Sequence, residues 1–149
     1  MEIVTQFSVF LINKPGVLAQ VTRQLAAAKI NILAMTMTDS SEHGVLRLVA
    51  TDPDSTRKAL AELNLPLTEA DVLRVEMPNK PGSLADVCAR LAEAHLNINY
   101  AYCTTGAKGG KSQGIFRVGD IKKAMKVLGP KNPKHRDMTH KLRRPAVLR

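Results

Sequence analysis

The chain has 149 residues, 44% of them hydrophobic and 3% aromatic, and no apolar run in it approaches the roughly 20 residues that cross a bilayer. Its net charge of +9 is lopsided, because residues 129–149 alone hold seven Lys or Arg and one Asp. Two cysteines, and four histidines without metal-ligand spacing, exclude a disulfide-built scaffold and a zinc site, so neither a metal nor a cofactor is expected.

Ile3 to Ile12 alternates, with Ile3, Phe7, Val9 and Leu11 on one side and Gln6 and Ser8 on the other, the pattern of a half-buried strand. Phe10 and Ile12 also fall on the second side, so that end of the strand is expected to be covered on both faces. From Gly16 to Ile30, Leu18, Val21, Leu25 and Ala28 recur at helical spacing and predict an amphipathic helix. Asn31–Thr38 and Val45–Thr51 then read as a hairpin across a polar turn. Asp52-Pro53-Asp54-Ser55 carries the caps that start a helix, continued by Thr56 to Leu63. Leu65–Glu69 is a short fourth strand.

Val72–Met77 alternates as a strand, Ser83–Leu96 is helical with Leu84, Val87, Cys88 and Leu91 inward, and Asn97–Thr104 is a strand. Tyr100 and Tyr102 share one side of it with Ile98, where packing on a sheet face or a dimer seam is expected. A Gly/Lys loop, 105–113, leads to a strand at Ile115–Val118 and a helix at Ile121–Leu128. After Gly129-Pro130 the apolar periodicity stops, although a strand around Met138–Leu142 would complete the second sheet.

The chain also repeats itself. Asn13-Lys14-Pro15-Gly16-Val17-Leu18-Ala19 returns as Asn79-Lys80-Pro81-Gly82-Ser83-Leu84-Ala85, an offset of 66, and Asn31-Ile32 returns as Asn97-Ile98. Beyond the second hairpin the offset becomes 70, since Gly44-Val45-Leu46-Arg47 matches Gly114-Ile115-Phe116-Arg117, so the second loop is four residues longer. Residues 1–70 and 71–130 are therefore taken as two domains and 131–149 as a basic C-terminal tail. Units this small are marginal alone and are expected to share sheet or core, and to pair with a second chain. In each turn the Pro suits the first helical position and the Gly leaves the backbone bare, so free N–H groups at a helix start face outward and attract a carboxylate.

Each copy reads β-α-β-β-α-β, the α+β order of a ferredoxin-like unit with helices on one face of an antiparallel sheet. Two such units with Asn-Lys-Pro-Gly after their first strands resemble the ACT domain, a family of small regulatory modules that bind amino acids. The resemblance covers residues 1–128. It implies that Asn13 and Asn79, before Pro-Gly, and Asn31 and Asn97, opening the second strand, contact a bound amino acid across an interface between two domains. Pro15, Gly16, Val17 and Leu18, with Pro81, Gly82, Ser83 and Leu84, would frame the ligand. Amide side chains suit a paired α-amino and α-carboxylate group, and equally suit caps and turns. Some amino-acid-binding members carry a polar residue two places before the first Asn, where this chain has Leu11 and Met77.

Gly110-Lys111-Ser112-Gln113-Gly114 spells a nucleophile elbow, and Gly110-Lys111-Ser112 part of a phosphate loop, but both sit in a hairpin with no helix following. No nucleophile, base and orienting residue recur together, so the expected protein is a non-catalytic sensor of a small amino acid, working as a homodimer. Met1 to Gln6 shows no basic start followed by an apolar core, so a cytoplasmic protein without membrane partners is expected. The alternative is a dimeric scaffold whose basic tail meets nucleic acid or an acidic protein, although the tail offers no aromatic residue for stacking on bases.

Overall fold

Alternating side chains put Phe7, Val9 and Leu11 of β1 (Glu2–Ile12) on one face, where they are fully buried with Val21 and Leu25 of α1 (Val17–Ala27). The same unit continues through β2 (Ile32–Thr38), β3 (His43–Ala50), α2 (Pro53–Ala61) and β4 (Leu67–Pro78). The second copy adds α3 (Ser83–Glu93), β5 (Ile98–Thr105), β6 (Lys111–Val118) and α4 (Ile121–Leu128). This computed structural model describes residues 1–38, 43–106 and 110–130. The basic tail and the strand considered near Met138–Leu142 lie outside the described residues, as do parts of both hairpin turns.

Local chemistry sets the helix boundaries. Asp52 accepts the N–H groups of Asp54 and Ser55, both at 3.1 Å, to start α2, and Asp120 accepts that of Lys123 at 2.9 Å to start α4. The long helices stop earlier than Ile30 and Leu96. Lys29 and His95 turn left-handed, at φ 57° and 54°, and the N–H groups of Ile30 and Leu96 reach back to the carbonyls of Leu25 and Leu91 at 2.9 Å. This is the Schellman cap, and it drops Ile30 and Leu96 into the cores instead of extending the helices.

All six strands form one antiparallel sheet in the order β2-β3-β1-β4-β6-β5. The two strands expected at Leu65–Glu69 and Val72–Met77 are one: β4 runs through Ala70 and Asp71 unbroken, its first part pairing with β1 and its last part with β6. Thr5 pairs directly with Asp71, its own counterpart at the repeat offset. The pseudo-twofold axis relating the copies therefore passes through that pair. Helices α1 and α2 cover one half of one face, with Leu46, Leu48 and Leu60 in the core beneath them. Helices α3 and α4 cover the other half, over Leu73, Val75, Leu91 and Phe116.

On the helix-free face the outer strands β2 and β5 approach each other, and a third cluster joins the copies: Ala34 and Val49 from the first with Val72 and Ile115 from the second. The side of β1 that carries Gln6 and Ser8 is therefore buried rather than solvated. The Gln6 amide donates to the Tyr100 hydroxyl at 2.7 Å and to Ser8 Oγ at 3.2 Å, while its oxygen accepts from the Tyr102 hydroxyl at 2.9 Å. Arg47 lies over the Tyr100 ring, 4.5 Å from its centre. Burial pushes the Tyr102 hydroxyl above its usual range. Ile98 does not share this side with the tyrosines, because the ladder slips between Ile98 and Tyr100 and sends Ile98 into the helix-side core. Phe10 and Ile12, expected to be covered, are 40% and 53% exposed.

Replacing Gln6 by Ala removes the buried amide and leaves the Tyr102 hydroxyl without its acceptor, so stability should fall by about 2–4 kcal/mol. Urea unfolding checks this, and a loss below about 1 kcal/mol would show that the clamp adds little. A piece ending at Thr68 or beginning at Asp71 cuts β4 in two and opens the third cluster, so neither should unfold cooperatively by circular dichroism. Two well-folded monomeric pieces would contradict the shared sheet.

Candidate functional site

The repeated tetrapeptides form two copies of one turn. The Val17 N–H meets the Lys14 carbonyl at 3.5 Å and the Ser83 N–H meets that of Lys80 at 3.3 Å. Gly16 and Gly82 take φ 91° with ψ −17° and −24°. This is a type II turn, with Pro15 or Pro81 at its second corner and a left-handed residue at its third, where only Gly fits without strain. Pro15 and Pro81 are thus not the first helical residues as expected. The glycines are the N-caps, and α1 and α3 begin one residue later, at Val17 and Ser83. A glycine cap has no side chain to accept the first N–H groups of the helix. The first helical backbone bonds run from Gln20 to Gly16 and from Asp86 to Gly82, both at 2.9 Å, which leaves the N–H groups of Leu18 and Ala19, and of Leu84 and Ala85, pointing out of the helix.

The surroundings of the two turns differ. Asn13 is exposed. Asn79 is half-buried, its N–H donating to the Gly110 carbonyl at 2.8 Å and its side-chain amide to the Gly106 carbonyl at 3.0 Å. The Ser83 hydroxyl is buried with no hydrogen-bond partner among the described residues. Val17 is half-buried, and Leu18 and Leu84 are exposed. Leu11 and Met77, where a polar residue sits in some amino-acid binders, are 1% and 6% exposed and belong to the helix-side cores.

The four asparagines are not gathered within one chain. Because β1 and β4 are antiparallel, the turns after them lie at opposite ends of the sheet. Asn31 accepts the Thr51 N–H at 3.0 Å, which extends the ladder to the level of Val4. Asn97 follows the register to the level of Gln6. Each therefore stands at least seven ladder positions from either turn, roughly 23 Å along the strands at about 3.3 Å per residue. A cleft of about 420 Å³, lined by Glu2, Val4, Leu33, Thr51 and Arg74, opens near the start of β1 and includes neither turn.

The elbow-like string has no nucleophile geometry: Lys111 to Gly114 belong to β6, and the buried Ser112 hydroxyl donates to the Met77 carbonyl at 3.4 Å. That hairpin side begins at Lys111, earlier than the strand expected at Ile115. Among the described residues no cluster of His, Cys, Asp and Glu is placed to hold a metal, and no helix is long and apolar enough to cross a membrane.

The family profile of the ACT domain pair matches residues 1–137. The chain belongs to this family. A solved protein from Bacteroides thetaiotaomicron is 33% identical to this ACT pair, with a TM-score of 0.78 over 85% of this chain and 86% of that one. The ligand-free regulatory subunit of aspartate kinase from Thermus thermophilus shares the fold at 14% identity and a TM-score of 0.64, over 83% of this chain and 88% of that one. The E. coli aspartokinase III complex with lysine and aspartate shares it at 20% identity and a TM-score of 0.53, over 86% of this chain and 30% of that one. A search among curated proteins returns no significant match.

Around the second turn, Lys111 Nζ donates to Glu76 at 2.6 Å and holds that carboxyl below the usual glutamate value of 4.5. A depressed carboxyl contributes stability above its ordinary pKa and loses it as pH falls through the folded value. In Lys111→Ala the Glu76 carboxyl should titrate nearer 4.5 by NMR; an unchanged titration would show that other charges hold it down.

Proposed function

We propose that this ACT pair is a regulatory module that binds a small amino acid at its Asn-Lys-Pro-Gly turns. The carboxylate would sit on the outward N–H groups that begin the helix, where the partial positive charge of the helix start favours an anion. The Asn side chain beside the turn would supply the remaining donor and acceptor. The observation that carries this reading is the glycine cap: at both turns the N–H groups of a helix start are left without side-chain acceptors. That one similar structure is a regulatory subunit of aspartate kinase, and another a complex with lysine and aspartate, supports the same ligand class.

The distance between each turn and Asn31 or Asn97 gives the reading a second part. A site that uses both asparagines has to draw them from two chains, so the ACT pair would work as a homodimer. The apolar side chains left exposed near the first turn, Phe10, Ile12, Leu18 and Met37, support a second copy docking there. Because Leu11 and Met77 are sealed in the cores, the ligand would be held by backbone and amide groups, which favours a small or weakly polar side chain.

Thermal unfolding in the presence of each of the twenty amino acids should show at least one that raises the melting temperature in proportion to its concentration. For that amino acid, Asn13→Ala should weaken binding roughly ten- to a hundredfold by calorimetry, through hydrogen bonds to a charged group, while shifting stability by only about 1 kcal/mol. No stabilising amino acid at millimolar concentration would overturn the reading.

A further inference from the structure

We propose that the two turns are unequal: the chain takes one amino acid, at the first turn, because its own β5–β6 hairpin occupies the second. This rests on the amino-acid-binding reading above and assigns that binding to one of two sites that look alike in sequence.

At the second turn the groups a ligand would use are already engaged. The Asn79 side-chain amide donates to Gly106 and its backbone N–H to Gly110, one residue from each side of the hairpin. The longer hairpin is what reaches them, since it carries four residues more than that of the first copy. Its two sides close tightly, for a Cβ on Gly106 would stand 2.8 Å from the Lys111 carbonyl oxygen, nearer than a side chain tolerates. The base is stitched to the end of β4 by the Lys111–Glu76 ion pair and by the Ser112 hydroxyl on the Met77 carbonyl. Ser83, at the start of the helix, is only 8% exposed, and its hydroxyl has no hydrogen-bond partner among the described residues. A ligand could satisfy that hydroxyl only after the hairpin lifts.

Charge points the same way. The first turn of α3 carries Asp86, whose carboxylate already faces the positive end of the helix and repels a second one. The matching residue in α1 is Gln20, and that first turn has no acid. Asn13 is exposed, and its side chain makes no hydrogen bond among the described residues. One repeat thus presents an open, uncharged helix start, and the other a start that the chain itself has filled.

NMR on the isotopically labelled full chain tests this, with an equimolar mixture of the twenty standard amino acids at millimolar concentration as the probe. The Gly16 amide and the Asn13 side-chain signals should move, those of Gly82 and Asn79 should stay, and the Asn79 side-chain amide should exchange with solvent at least about tenfold more slowly than that of Asn13. A variant lacking residues 107–110, which restores the loop length of the first copy, should let Gly82 respond as well. If that variant does not fold, the comparison of Gly16 with Gly82 in the unaltered chain decides. Equal movement of both glycines, or equally fast exchange of both asparagines, would overturn the proposal. If neither glycine moves while Asn79 stays protected, the proposal falls through the amino-acid reading, and the hairpin is not the cause.

Discussion

The antiparallel ladder between β1 and β4 is the constraint on which the rest of this ACT pair depends. Each copy alone buries one face of a small sheet under two helices and leaves a strand edge unpaired, a poor arrangement for about 65 residues. Pairing the first strand of one copy with the first strand of the other satisfies both edges and makes a six-stranded sheet with two helical cores on one face. Because β4 also closes the first copy, no linker separates the halves, and the connection is itself a central strand.

That single pairing fixes where the turns go. A twofold through Thr5 and Asp71 sends the ends of β1 and β4 in opposite directions, so two nearly identical turns lie at opposite ends of the sheet. It also leaves a second face to be closed. The chain closes it with a few apolar side chains and one fully used amide, that of Gln6, whose hydrogen bonds reach across the sheet to Tyr100 and Tyr102. A buried amide with both ends satisfied is directional in a way that apolar contact is not, so it helps hold β5 over β1 in one position.

The repeat shows how far two equal backbones can diverge in chemistry. Both turns need glycine for the same left-handed corner, and both helices end in the same cap despite Lys29 and His95 in a conformation that costs roughly 1 kcal/mol for a side-chain-bearing residue. Around this shared frame the second copy adds a longer hairpin and an acid in the first turn of its helix, whereas the first keeps apolar side chains on its surface. Equivalent positions therefore meet different neighbours.

Much of this was legible in the residues, because turns, caps and amphipathic periods are decided by neighbours in sequence. Asn-Lys-Pro-Gly declares a tight turn before a helix, Asp52 and Asp120 declare helix starts, and Leu18, Val21 and Leu25 declare a buried helical stripe. An internal offset of 66 declares two copies of one unit. Other features belong to the tertiary structure alone. No local signal says that Leu65–Glu69 and Val72–Met77 are one strand, since the residues between them are polar and only the pairing with β1 keeps them extended. Gln6 reads as a solvent-facing residue until β5, more than 90 residues away, is brought against it by the curling of the sheet. The positions of the four asparagines likewise follow from strand order: their spacing repeats along the chain, but an antiparallel ladder carries the two turns to opposite ends and leaves Asn31 and Asn97 near the middle.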